Sequence, residues 1–467
     1  MADALVPDWL SVPADANELV PSLWAQNVER RDGEIHVGDI GVRELARRFG
    51  TPLYVVDESD ARTRAARIRS TLETAFDRVG TTCHVYYAGK AFLSIDVVRW
   101  MTEAGLRIDV CSGGELAVAL ASGADPAKIG FHGNNKSVAE IERAVEVGVG
   151  AIVLDSFTEI DRVAEAARAG GRFQPVRLRV NSGVHAHTHE FLATAHEDQK
   201  FGLPLAQVAD AVARIRSAGS LEFLGLHCHI GSQIFDSGGF AESAARLLEA
   251  HAGLLAGGPV PELNLGGGFG IAYTDADDPV PLTETAQRIA EAVAAECERL
   301  GIPLPSMAFE PGRSIIGPTT FTLYTAGTVK PVVVGAGDGT AVRTYVSVDG
   351  GMSDNIRPAL YGADYTVRIA DRSSDADPAL VRIAGKHCES GDIVVDADYL
   401  PSDVAAGDLL AVPVTGAYCW SLSSNYNYLG RPAVVAVRGH EARLMIRRET
   451  EADLLARDAG AREGEKA

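Results

Sequence analysis

Between residues 83 and 309 the chain alternates short apolar runs with amphipathic stretches. The runs fall at 83–88, 106–110, 128–132, 151–154, 176–181, 223–229, 261–265 and 307–309. Between them, 113–122, 137–147, 158–169, 204–217, 240–255 and 283–300 carry apolar residues at helical spacing. Continuous apolar runs separated by helices predict parallel strands buried on both faces. Eight such units predict a closed (β/α)8 barrel of the TIM type over residues 46–314 rather than an open doubly wound sheet. No G-x-G-x-x-G follows the first run, which weakens the open-sheet alternative. From about 315 the pattern changes to β-rich segments such as TLYTAGTVKPVVV, GDIVVDADYL and AVVAVRGHEARLMIRR, with glycine and proline turns. These predict a separate C-terminal β-sandwich or β-barrel domain over 315–450. The first 45 residues, with EIHVGDI, are expected to contribute a strand to it, and 451–467 to form a helix fraying into a tail.

Composition excludes several classes. A net charge of −20 would repel a phosphate backbone or an anionic membrane, so neither nucleic acid nor membrane is an expected partner. No apolar run reaches the ~18 residues that span a bilayer, and MADALVPDWL lacks a basic-then-apolar signal. The cysteines at 83, 111, 228, 297, 388 and 419 are scattered without a C-x-x-C pair. That spacing predicts reduced thiols in a cytoplasmic protein, with no disulfide framework or structural zinc.

In such a barrel the residues after each strand face the active site. Lys90 follows the first run in VYYAGKAF, His132 the third and Asn181 the fifth. The sixth run ends in HCHIGSQ, the seventh in GGGFG and the eighth in EPGR. Each group has a plain reading: Lys90 a surface charge, Gly266–Gly268 a tight turn, His229 a core histidine, Glu310 a structural partner of Arg313. Together they read differently. Three glycines let backbone amides close around a phosphate, an amine forms a Schiff base, and a carboxylate keeps a pyridine nitrogen protonated. Those are the requirements of pyridoxal 5′-phosphate.

With these motifs the chain resembles the diaminopimelate decarboxylase family of alanine-racemase-like, fold type III pyridoxal-phosphate enzymes. YYAGK, HAHTHEFLATAHEDQKFG, HCHIGSQ, GGGFG, EPGR, DGGMSDNIRPALYGA, CESGD, GAY and SSNYN carry the likeness, over roughly 20–445. The resemblance implies decarboxylation of meso-2,6-diaminopimelate to L-lysine and carbon dioxide, the last step of lysine biosynthesis. It implies that Lys90 carries the cofactor and His229 stacks on its ring. Glu310 would bind the ring nitrogen. Gly268 and the EPGR backbone at Gly312 and Arg313 would hold the phosphate with Tyr418 nearby, and Ser232, Gly266 and Gly267 would also bind the cofactor. Cys388 would return a proton after carbon dioxide leaves, kept as a thiol by the neighbouring charge of Glu389. Arg313, Arg357, Tyr361, Glu389 and Tyr418 would bind substrate, the arginines gripping its distal carboxylate. Related diamine decarboxylases place an acid where this chain has Gly362, which favours a substrate with two carboxylates. The resemblance also implies a homodimer whose Cys388 loop completes the partner's site. Another amino diacid, a diamine or a non-catalytic homologue are the alternatives. Retention of both Lys90 and Cys388 argues against the last, and CESGD with RPALYGA against a racemase. The histidines at 185, 187, 189 and 196 lie in a stretch expected to cover the active site, so no metal is expected there. The chain departs from the family at Asn181–Gly183, where proline is commoner, which is expected to loosen that cover.

Overall fold

The structure, a computed structural model, describes residues 5–184, 200–336 and 339–460. They divide into two compact units. One comprises residues 62–271 and 279–315, the other residues 1–61, 272–278 and 316–467.

The first unit is a closed parallel barrel of eight strands. They are β1 (Cys83–Ala88), β2 (Arg107–Val110), β3 (Ile129–Phe131), β4 (Ala151–Leu154), β5 (Gln174–Asn181), β6 (Leu221–His227), β7 (Glu262–Asn264) and β8 (Ser306–Phe309). Each pairs with the next, and β8 returns to β1 through Met307 opposite Cys83 and Phe309 opposite Val85. Every residue of β4 is buried, as expected for a strand covered on both faces. The crossovers stay short because serines start the helices at once. Ser94, Ser112, Ser137 and Ser156 each accept a hydrogen bond from the backbone amide three residues on. Such a cap is worth ~1 kcal/mol. In three of them that third residue is glutamate, and Ser137 with Glu140 closes a reciprocal capping box. One charged group crosses the barrel interior: buried Arg177 meets Glu262 at 2.7 Å and the Tyr86 hydroxyl at 2.9 Å.

The second unit is built on a nine-stranded sheet. Its main path runs Ile393–Pro401, Pro378–Ala384, Gly339–Val348, Thr320–Ala336, Leu53–Asp57, Ala433–Arg438 and Glu441–Ile446. Leu409–Val412 pairs with the early part of the long Thr320–Ala336 strand and with Arg368–Ile369. Two details differ from the pattern along the chain. Leu53–Asp57, whose position groups it with the barrel, hydrogen-bonds between Thr320–Leu323 and Ala433–Val437. Glu34–Val37 does not enter the large sheet; it pairs with Val28–Arg31 and Ile40–Gly41 in a three-stranded sheet of its own. At the far end, a capping box between Thr450 and Asp453 starts the helix Glu451–Leu455. No helix among the described residues is long and apolar enough to cross a membrane.

Candidate active site

The barrel gathers its polar groups at the C-terminal ends of the strands. Lys90 lies in the turn that follows β1, exposed, with no hydrogen bond or ion pair among the described residues. Its charge lowers the His229 and His132 rings and the Asp109 carboxyl. Glu310, immediately past β8, is the centre of the cluster. Its carboxylate accepts a hydrogen bond from Asn264 Nδ2 at 2.7 Å and lies 3.1 Å from His227 Nε2 and 3.4 Å from His132 Nε2. It does not pair with Arg313, whose Nη2 donates to Ser232 Oγ at 2.9 Å. The structural-bridge reading of Glu310 is therefore set aside.

The charges in this cluster follow from burial. Burial opposes a charged Glu310, but the His227 and His132 rings and the His227 hydrogen bond outweigh it and hold the carboxyl well below its usual range. Burial pushes both of those rings down to about 4, against the pull of Glu310. At neutral pH the arrangement is thus one carboxylate faced by neutral imidazoles. Asp109, in β2, approaches His132 Nε2 at 3.2 Å; burial, with the charge of Glu310 added, pushes it well above its usual range. His229 is held well below its ordinary value by burial and then by the Lys90 charge. Its Nδ1 accepts a hydrogen bond from Gly267 N at 3.3 Å, so the neutral ring carries its proton on Nε2.

The glycines have a more specific role than opening space for a ligand. A Cβ on Gly266 would come within 2.7 Å of Cys228 O, one on Gly267 within 2.2 Å of Glu310 O, and one on Gly268 within 2.5 Å of Gly231 O. Gly266 and Gly268 also have φ of +69° and +118°. The triplet is what allows the chain ends past β6, β7 and β8 to lie against one another. Gly312 is similarly close to Ala88 O, at 3.0 Å from a would-be Cβ. Asn181 serves locally, accepting from Gly183 N at 2.9 Å.

In the second unit, Asp354 anchors the DGGMSDN segment by accepting from Tyr324 Oη at 2.5 Å and Gly351 N at 2.9 Å. This fixes the start of the helix Arg357–Tyr361. Arg357 is buried and has no carboxylate partner among the described residues. Tyr361 is exposed at the end of the same short helix. Cys388 is exposed, and its backbone amide donates to Asn427 Oδ1 at 3.1 Å. Glu389 folds onto its own turn, accepting from Gly391 N at 3.2 Å and Ser390 Oγ at 3.3 Å. Tyr418 is half-buried with φ of +61°. His185, His187, His189 and His196 lie outside the described residues. His132, His227 and Glu310 offer ligand atoms within 4.8 Å of one another, but both Glu310 oxygens are already engaged by Asn264 and His227.

Asp109 and Asn264 belong to this cluster yet are passed over by strand-end reasoning, because each lies within a strand. An acid in RIDV and an asparagine in ELN were the available signals.

A parallel barrel with an amine past its first strand and a buried carboxylate past its last defines a class, and residues 65–317 match the family model described as "Pyridoxal-dependent decarboxylase, pyridoxal binding domain". A diaminopimelate decarboxylase of Mycobacterium bovis is 51% identical over 94% of this chain and 98% of its own length. That of Bacillus subtilis is 43% identical over 94% and 98%. The crystal structure of diaminopimelate decarboxylase from M. jannaschii in complex with L-lysine superposes with a TM-score of 0.85, at 32% identity, covering 94% of this chain and 99% of that one. The chain belongs to the diaminopimelate decarboxylase family.

Proposed function

We propose that the chain removes one carboxylate from meso-2,6-diaminopimelate, giving L-lysine and carbon dioxide, with pyridoxal 5′-phosphate bound at the barrel mouth. The residues present fit that cofactor: an amine at Lys90 with no partner among the described residues, a neutral ring at His229 and an ionised, buried Glu310. When bound, pyridoxal phosphate supplies the electron sink for the carbanion that decarboxylation leaves. Lys90 would be the attachment point, and His229 would lie against the ring without adding a positive charge to it. Glu310 would keep the ring nitrogen protonated. Asn264 and His227 keep Glu310 ionised and aimed. Gly268, Gly312 and Arg313 would hold the phosphate with Tyr418 nearby, and Ser232, Gly266 and Gly267 would complete the cofactor site. The Cys388 thiol donates the proton that replaces carbon dioxide.

The observation that carries the substrate assignment is Arg357. A buried guanidinium with no acid paired to it among the described residues is costly unless an anion meets it, and its planar fork suits a carboxylate. Arg313, Tyr361, Glu389 and Tyr418 complete the substrate contacts in this reading. The working enzyme is a cytoplasmic homodimer in which Cys388 serves the partner's barrel. Purified protein supplied with pyridoxal phosphate and meso-diaminopimelate should yield stoichiometric lysine and carbon dioxide. Absence of lysine, with turnover of another amino diacid or a diamine instead, would reject the assignment.

A further inference from the structure

Arg357 is held by an arrangement that stabilises a cation without neutralising it. Its Nη1 donates to the Tyr365 hydroxyl. Its guanidinium carbon sits 4.4 Å from the centre of the Tyr273 ring and 5.5 Å from that of Tyr365. The two rings meet edge to face, 5.4 Å apart at 80°. Aromatic faces attract a guanidinium through their quadrupoles and leave its net charge in place.

Beyond the ring, hydrogen bonds run in one direction. Because the Tyr365 oxygen accepts from Arg357, its own proton is available to Cys419 Sγ, 3.6 Å away. The Cys419 thiol in turn has two acceptors within reach, Asn355 Oδ1 at 3.5 Å and Ala417 O at 3.7 Å. Asn355 Oδ1 also accepts from the Arg357 backbone amide at 3.3 Å, so the circuit closes on the residue where it began. Gly362, with φ of +60°, turns the chain at the end of the short helix. That reversal brings Tyr365 back to Arg357, eight residues earlier. Burial pushes the Tyr365 phenol well above its ordinary value, so it remains a neutral acceptor. Tyr365 and Asn355 therefore meet Arg357 as neutral acceptors.

We propose that Tyr365, Tyr273 and Cys419 are positioning residues: they fix the Arg357 guanidinium as an uncompensated cation for the unreactive carboxylate of the substrate. This rests on the reading of Arg357 given above. Loss of the Tyr365 hydroxyl would free the guanidinium to turn and would weaken substrate binding without touching the bond that breaks.

The test is steady-state decarboxylation of meso-diaminopimelate by the holoenzyme, with Arg357→Ala, Tyr365→Phe, Cys419→Ala and Cys419→Ser beside the parent. Tyr365→Phe keeps the ring and loses one hydrogen bond to a charged group. It should raise KM about tenfold or more, with kcat within about threefold of the parent. The absorbance of the bound cofactor should not change. Cys419→Ala should shift KM in the same direction by less, and Cys419→Ser, which restores a donor and acceptor, should return it toward the parent. If Arg357→Ala raises KM and Tyr365→Phe does not, the clamp is wrong and the role of Arg357 stands. If Arg357→Ala has the parent KM, the substrate reading fails first and the clamp with it. A Tyr365→Phe enzyme that loses kcat, melting temperature and cofactor absorbance together overturns the proposal in favour of a purely structural role. Should that variant not fold, the alanine–serine pair at Cys419 decides by the same criteria.

Discussion

Asn264 is the residue on which the barrel chemistry can be tested most directly, because it faces two ways. Its Nδ2 donates to Glu310 at 2.7 Å, while its Oδ1 accepts from Gly266 N at 2.8 Å. Asn264→Asp keeps the shape and the second bond but replaces the donor facing Glu310 with an acceptor. Two carboxylates whose charges lie about 4 Å apart repel by about 4 kcal/mol at an effective dielectric of about 20. That equals about 3 pK units, so the pair should retain one shared proton up to an apparent pKa near ~7. An unfolded aspartate releases its proton near ~4. The folded-state value is therefore raised, and the sign follows. Between about pH 4 and 7 the folded variant binds more protons than the unfolded one, so its stability is full below that window and falls as pH rises through it.

The stability gap between parent and variant should widen by about 2.5 kcal/mol from pH 5 to pH 8. For a unit of this size that is a melting difference growing by about 5–10 °C. Thermal unfolding of both proteins across that range reads it, and the parent's own pH dependence cancels in the difference. A gap that stays constant from pH 5 to 8 would show that Asn264 does not face an ionised Glu310, and the account of the cluster would fall.

Lys90→Ala should abolish covalent attachment of pyridoxal phosphate; borohydride reduction followed by peptide mapping of the parent should find the label on Lys90, and a label on another lysine would refute the assignment. Lys90→Ala and Cys388→Ala should each be nearly inactive alone. After subunit exchange in equal amounts they should recover about a quarter of the sites, since about half the dimers are mixed and each mixed dimer has one intact site. No recovery after proven exchange would place both residues' action within one chain. His251 is buried on the helix Gly238–Leu254, and burial pushes it down to about 4. A depressed histidine contributes stability that is present above ~6.5 and lost as pH falls toward the folded value. His251→Leu should therefore flatten the decline in melting temperature between pH 6.5 and 4.5, and an unaltered slope would contradict that burial.

The barrel was legible because its information is local. Each of the eight apolar runs overlaps one observed strand, and Ala151–Leu154 and Cys83–Ala88 coincide with their runs residue for residue. Strand-end reasoning then collects Lys90, His229, Gly266–Gly268 and Glu310 without any knowledge of distance. It misses Asp109 and Asn264 because a polar residue inside a short apolar run reads as an interruption rather than as an inward-facing group. It does not reveal the second reason for the glycine triplet, since nothing in GGGFG says that a Cβ would meet Cys228 O, Glu310 O and Gly231 O. The second unit was less legible for a different reason. Leu53–Asp57 pairs with strands more than 260 residues later, and such pairings leave no periodic trace near either partner.

The two units share one electrostatic property, and it argues for a ligand independently of resemblance. In the barrel, Glu310 is held ionised with its side chain 10% exposed, and among the described residues no lysine or arginine pairs with it. In the second unit, Arg357 is 5% exposed, and among the described residues no carboxylate pairs with it. A buried charge left without its counter-charge costs several kcal/mol, and a chain selected for stability alone would replace either group with an apolar residue. Both are instead kept in place by neutral donors and rings: Asn264 and His227 around one, Tyr273 and Tyr365 around the other. Neutral holders fix position without cancelling charge. In the proposed function a protonated ring nitrogen would meet Glu310, and a second carboxylate would meet Arg357. A diamine would leave Arg357 unmatched, and a cofactor without a basic ring nitrogen would leave Glu310 so. Of the alternatives open at the outset, decarboxylation of an amino diacid on pyridoxal phosphate is the one that supplies both missing charges.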